Sequence, residues 1–395
     1  MRSLFETYGA EAEARFAASG HSATAFTNVA ADLLERWQLH KTVSLETVWE
    51  AALAGQIANI GDQSKPGLIP LFSGNHVRIV GHLWSDAADR LHQHDWAGAF
   101  QVLEGQSFNS TYAFEQDRNV EEFSLGTLTR RSFDIFDAGH IQSVVEGPSL
   151  IHSVVYSEKP GFAISLRVAG AGEKGAYEYL RPGLRCPSHR RRDASSVQLD
   201  LLSQALQLDE NIYQEKSRVL AEALEEADLV RLLDAAAFDG LPLPDFVVEI
   251  VRDRLPEGRR VLASLDDIER SDKTRELLGE HDRPKIRAFI CGLFHSENRT
   301  ELNETLQIAG FSNPSVDAGR ALSALIVDDE SGELPTDYLV KAFGEAALTG
   351  DVRSAIGTMR AQAVNAPLLD SHSRFVAEAF EAMEEAPIFR CLFKA

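Results

Sequence analysis

The sequence predicts an α+β fold in which a central antiparallel β-barrel lies between N-terminal helices and a C-terminal all-α region. Three observations carry this. Helical periodicity fills the opening of the chain. From Leu68 to Arg181 the sequence breaks into short apolar or alternating runs, many of them separated by Gly, Pro, Asn or Asp. Beyond a Pro-, Arg- and Ser-rich stretch the apolar spacing turns helical again. A chain of 395 residues is long enough for two or three domains. The expected units are a helical segment over 1–66, a barrel over 67–183 and an acidic all-α domain over 195–395.

Each element has its local reason. Phe26, Val29, Ala30, Leu33, Leu34 and Trp37 recur at helical spacing and form one stripe over Ala25–Trp37. Ser44 is placed to cap a second helix expected over Leu45–Ile57, with Glu46 and Glu50 toward its start and Gly55 near its end. GDQSKPGLIP then breaks the pattern. The runs HVRIVGHLW, AFQVLEG, SFNSTYAF, SVVEGP, LIHSVVY and GFAISLRV are strand-length and rich in Val, Ile, Phe, Tyr and Thr, which suggests a sandwich or barrel. RPGLRCPSHRRRDASS reads as a linker. Helical runs follow from VQLDLLSQALQL to SHSRFVAEAFEAM, and ELPTDYLVKAF carries a proline-capped helix start without a chemical signature.

Composition narrows the function classes. A hydrophobic share of 44% and a charged share of 25% exclude wholesale disorder. No run approaches the roughly 18–20 apolar residues of a membrane helix. The opening has early glutamates and no apolar signal core, and Cys186, Cys291 and Cys391 are too far apart for a metal knuckle or a disulfide framework. These features point to the cytoplasm. The net charge is −21, and most of it falls in the C-terminal half. Such a surface repels phosphate backbones, so nucleic acid is not an expected partner of that half, and without a long apolar run a membrane is not expected either. The histidines gather elsewhere, with six of twelve between His76 and His152.

The chemistry concentrates in RLHQHDWAGAFQVLEG. A strand points residues i and i+2 to one face, so His92 and His94 project together. LIHSVVY offers a third imidazole, His152. Neutral imidazole suits iron, zinc, copper or nickel. An isolated His-x-His is more often an ordinary pair of packed or surface residues. The strand context and the third histidine favour the metal reading here.

At this point the sequence resembles a known family. The pattern G-x5-H-x-H-x3,4-E-x6-G, followed by a later P-x-G-x2-H, belongs to the cupin superfamily. His92, His94 and Gly105 keep its spacing, Asp86 stands at the first glycine and Gly98 at the glutamate ligand. Loss of that glutamate with three histidines kept resembles the cysteine dioxygenase (thiol dioxygenase) branch, over about residues 76–169. The resemblance implies a mononuclear non-haem Fe(II) held by His92, His94 and His152, with O2 as co-substrate. Zn, Ni or Mn are the alternative metals.

The departures from that family are equally informative. Its last metal-site strand carries a Ser-x-His-x-Tyr relay, but here Ser165 is followed by Arg167 and Ala169. The cysteine that some members cross-link falls near Ala99, and the arginine that grips the cysteine carboxylate is replaced by the apolar GLIPLF. This argues against free cysteine as substrate. In HVRIVGHLW, Val77, Ile79, Gly81 and Leu83 form one face and His76, Arg78, Val80, His82 and Trp84 the other. Matching Trp84 to the family's pocket tryptophan puts His82 on the pocket wall, against the plainer reading of an edge strand facing solvent. Arg167 shares parity with Ser165, so it either anchors an anionic substrate or pairs with a structural carboxylate. Tyr156 shares the parity of His152, as a proton donor or a core residue. Asp95 either orients a ligand histidine or starts a turn.

The expectation that follows is an Fe(II)-dependent oxygenase acting on a small acidic or amino-acid-like substrate. Ser165, Arg167 and Tyr156 are its candidate catalytic residues, and His82, Trp84 and Arg167 its candidate substrate contacts. Two alternatives stand beside it. One is a non-oxidative metal-dependent cupin isomerase or lyase. The other is a ligand-sensing cupin whose helical region docks a partner or forms a homodimer.

Overall fold

A computed structural model describes residues 1–57, 67–84, 89–121, 123–169, 176–187, 194–238, 241–255, 257–326, 337–362 and 369–394. The GDQSKP part of the break, Asp86, the SHRRRD part of the expected linker and the proline of ELPTDYLVKAF lie outside the described residues.

Three helices open the chain: α1 (Arg2–Ala18), α2 (Ala23–Trp37) and α3 (Leu45–Leu53). Ser22 caps α2 by accepting from Ala25 N, and Ser44 caps α3 in a reciprocal box with Thr47. The helix α3 stops short of the expected Ile57. Its chain folds back through Gln56 N–H to Ala51 O (2.8 Å), with Gly55 at φ +68, and this closes the last turn.

Eleven strands follow among the described residues: β1 (Leu68–Ser73), β2 (Val77–Trp84), β3 (Leu91–His94), β4 (Trp96–Glu104), β5 (Ser107–Val120), β6 (Phe123–Phe136), β7 (Ile141–Val144), β8 (Gly147–Tyr156), β9 (Gly161–Ala169), β10 (Tyr177–Leu180) and β11 (Leu184–Pro187). One sheet has the order β1-β2-β9-β4-β7. The other six strands close into a barrel in the order β10-β11-β6-β5-β8-β3. All pairings are antiparallel. The sequence reading placed Leu184–Pro187 in a linker, but it is a strand. Leu184 and Arg185 pair with β6, and the buried Leu184 and Cys186 join an apolar cluster.

Helices α4 (Ala194–Leu208), α5 (Glu210–Ala223), α6 (Glu226–Phe238), α7 (Asp245–Arg254), α8 (Gly258–Glu280), α9 (Pro284–His295), α10 (Arg299–Ile308), α11 (Pro314–Ile326), α12 (Asp337–Thr349), α13 (Val352–Gln362) and α14 (Leu369–Glu385) make up the C-terminal region. The molecule is therefore α+β, with a central antiparallel barrel, N-terminal helices and a C-terminal helical region. No helix among the described residues is long and apolar enough to cross a membrane.

Helices cover both outer faces of the strands. Val77 and Ile79 of β2, Ala97 and Ala99 of β4, and Ile164, Leu166 and Val168 of β9 pack against Phe26, Leu33, Leu34 and Val48 of the N-terminal helices. Phe108, Phe133 and Val155 pack against Phe289, Leu293 and Phe294 of α9. Full burial of one such aliphatic or aromatic side chain contributes roughly 1.5–3 kcal/mol. Buried arginines bolt the helical region on. Arg181 donates to Asp267 Oδ1 (2.9 Å) and to Phe294 O (2.7 Å), and Arg287 donates to Ser157 O (2.8 Å) and Tyr156 O (3.2 Å). With both outer faces covered, the inward-facing side chains meet one another between the strands.

Candidate metal centre

The short strand β3 lies between β10 and β8. Leu91 and Gln93 are its buried side chains, and Leu91 packs with Tyr112, Ile151 and Tyr179. That alternation turns His92 and His94 the other way. His92 stands directly opposite His152 of β8, and an irregularity between Gln93 and His94 re-aims the second ring. The three imidazoles form a near-equilateral triangle with centroid separations of 4.7, 4.8 and 5.0 Å. Their ligating nitrogens all lie within 4.8 Å of one another.

The outer nitrogens of two rings have fixed roles. His92 Nδ1 lies 2.8 Å from Arg90 O, and a carbonyl only accepts, so this nitrogen carries the proton. His152 Nδ1 lies 2.9 Å from Asn109 Oδ1 and donates to it. Both rings therefore present a bare Nε2 lone pair, the form a metal requires. His94 Nε2 stands 2.9 Å from His152 Nε2. Without a cation His94 supplies the proton for that contact. Two nitrogens each about 2.1 Å from one ion would sit this far apart at roughly a right angle. Burial, and then the neighbouring His92 and His152, hold His94 well below the usual histidine range. Burial, followed by His92, does the same to His152. Neutral, convergent imidazoles fit a divalent transition metal.

Beside the three histidines stand side chains from the inward face of the five-stranded sheet. His82 Nε2 and Ser165 Oγ are 2.8 Å apart. Burial, with Arg167 second, pushes His82 down to about 3. The rings of His82, Trp84 and Tyr156 follow one another nearly parallel, at 6.3 Å and 6.0 Å. Tyr156 is 3% exposed, and burial, with Asp89 second, raises its phenol above the usual range. Arg167 lies opposite Arg78 and Gly98 on the neighbouring strands, with its guanidinium 5.7 Å from the Trp96 ring centroid. Burial lowers its pKa, Asp95 opposes that shift and Arg78 adds to it.

The sequence-derived residues thus separate into groups. His92, His94 and His152 meet. His82 joins Ser165 directly, while Trp84 and Tyr156 form an aromatic wall. Asp95 is exposed, and its charge acts on Arg167. The groups that orient the ligand rings, Arg90 O and Asn109, were not read from the sequence. The available signal was a polar residue, Asn109, within an otherwise strand-like run, and it is 1% exposed. Gly98 has φ +153, and a Cβ there would lie 2.0 Å from Leu166 O. No side chain fits at that point, so the glutamate position of the pattern supplies no fourth ligand. A separate cleft of about 1230 Å³ lies in the helical region against Leu241, Leu262, Glu269 and Pro387, and no histidine among the described residues lines it.

No family model matches the chain, and no curated protein matches it in sequence. Among solved structures it is similar to a conserved protein with a double-stranded β-helix domain from Klebsiella pneumoniae, at 16% identity over 30% of this chain and 83% of that one, with a TM-score of 0.18. It is also similar to an oxalate oxidase, at 13% identity over 42% of this chain and 79% of that one, with a TM-score of 0.21. A recombinant oxalate oxidase in complex with glycolate gives 13% identity, 40% and 76% coverage and a TM-score of 0.19. TM-scores this low support no inference about this chain's chemistry.

Proposed function

We propose that the chain is a mononuclear non-haem Fe(II)-dependent oxygenase acting on a small acidic or amino-acid-like substrate. The observation that carries this reading is the His92–His94–His152 cluster, in which Arg90 O and Asn109 aim two bare nitrogens inward. Bound there, iron would supply open positions at which O2 and substrate meet, because three protein ligands leave room that four would close.

The chain's own residues account for the rest. Arg167 offers a fork of donors to a carboxylate or phosphate, and Trp96 supports its guanidinium from the side. Trp84 and Tyr156 wall the pocket with apolar surface that excludes water. Ser165 Oγ and the neutral His82 share one hydrogen bond, through which a proton can be held or passed at the pocket wall.

The test is metal analysis after anaerobic purification, followed by oxygen uptake with pooled small anionic metabolites. The expected result is one iron per chain and substrate-dependent oxygen consumption, both lost in a His92→Ala/His94→Ala variant. Turnover without oxygen on Zn, Ni or Mn would instead establish the isomerase or lyase reading. Ligand binding without turnover would establish a sensor.

A further inference from the structure

The helices α4 and α5 each have a second apolar face. Their inner sides are already satisfied, since Leu202, Ala205 and Tyr213 pack with Leu232, Ala236 and Leu241. Outside that core, Val197, Leu201 and Leu208 of α4 and Ile212 and Val219 of α5 are between 42% and 79% exposed. At about 100° per residue the three on α4 fall within roughly 40° of arc, and the two on α5 within roughly 20°. Scattered exposed apolar residues are normal on any surface. Here, however, five of the eight exposed large apolar side chains of the described residues lie between Val197 and Val219, aligned at helical period. Such a stripe marks a face that another molecule covers.

Charge identifies the occupant. Asp200, Asp209, Glu210, Glu215, Glu222 and Glu225 are exposed along the same two helices and the turn that follows them. The two cations there are engaged: Lys216 Nζ lies 2.7 Å from Glu215 Oε1, and the Arg218 guanidinium lies 4.1 Å from the Phe246 ring centroid. A second copy of this chain, with a net charge of −21, would bring like charges together, and so would an anionic lipid surface. We infer that the α4–α5 face docks a cationic amphipathic helix of a partner protein, whose apolar stripe covers the leucines and whose Lys and Arg meet the acidic rim. This is independent of the metal reading, since none of these residues belongs to the histidine cluster or its neighbours.

The experiment uses the full chain and three fluorescent peptides, read by anisotropy. One has a leucine stripe and a Lys/Arg polar face, the second the same stripe with a Glu face, and the third the basic composition with the stripe scrambled. The first should bind at least tenfold more tightly than the other two and weaken as salt rises. Leu201→Glu/Leu208→Glu should cut its binding at least tenfold, and both sites are exposed, so an unchanged melting temperature is expected. Asp200→Lys/Glu215→Lys, which leaves the stripe intact, should move preference toward the acidic peptide. Equal binding of the scrambled peptide, or no loss in the leucine variant, would overturn the inference. So would a dimer in solution that Leu201→Glu dissociates, or binding to phosphatidylserine vesicles that it abolishes.

Discussion

Asn109 Oδ1 and His152 Nδ1 stand 2.9 Å apart in the buried interior of the barrel, and that contact decides which nitrogen of His152 carries the proton. A ligand imidazole must have its metal-facing nitrogen bare, and the group behind the ring keeps it so. Asn109→Leu should therefore keep the three histidines yet weaken divalent metal binding by about 10–100-fold. Chelator competition measures this directly. Affinity equal to the parent chain would show that Asn109 is a core amide and nothing more.

Gly98 yields a prediction about what cannot be rebuilt. Its strand lies so close to β9 that a Cβ would meet Leu166 O at 2.0 Å and the Arg167 Cα at 3.0 Å. Gly98→Glu should not recover a fourth ligand. It should cost about 2 kcal/mol or more by prising β4 from β9. Urea unfolding and metal spectroscopy on that variant test both halves, and a stable four-ligand site would refute the account.

The pattern of strands and the pairing of His92 with His94 were legible because period-two alternation is a local property. The third histidine of the cluster was legible from its strand context. The partner of Ser165 was not. Arg167 occupies the position where the resembled family keeps a histidine, whereas the structure brings His82 to Ser165 from the adjacent strand β2. Register between strands is a long-range choice that one strand's sequence does not encode. For the same reason Leu184–Pro187 looked like linker: four residues flanked by Pro and Arg become a strand only when β6 and β10 supply their hydrogen bonds. The seating of the helical region on the barrel rests on Arg181 and Arg287, whose partners are backbone carbonyls and a distant Asp267.

His82 should also make the metal-free chain sensitive to acid. Burial, with Arg167 second, lowers it from 6.5 to about 3 in the folded state. The unfolded chain therefore binds that proton first. The stability tied to neutral His82 is complete above pH 6.5 and is lost as pH falls from there toward 3. One such group contributes a slope of at most about 1.4 kcal/mol per pH unit. His82→Gln should flatten the pH dependence of urea unfolding across that window. Ser165→Ala, which takes a hydrogen-bond partner from a buried ring, should cost about 1–3 kcal/mol with metal content unchanged. An unaltered slope in the first variant would place the acid sensitivity elsewhere.

Arg167 carries the sharpest expectation about substrate. It lies on the same face of β9 as Ser165, with its guanidinium beside Trp96 and Asp95 as the carboxylate that favours its charge. A bidentate contact from such a group to a carboxylate is typically worth about 1.5–3 kcal/mol. Arg167→Lys keeps the charge and loses the fork, so binding of an anionic substrate should weaken about tenfold, at about 1.4 kcal/mol per decade. Metal content should stay constant, because arginine is not a ligand. Free cysteine should give negligible sulfinate with the iron-loaded chain, since the relay and carboxylate contacts of the resembled family are absent here. If Arg167 only braces the strand against Asp95, the lysine variant will melt at a lower temperature and bind the substrate as before. Melting temperature and affinity measured on the same preparation separate the two outcomes.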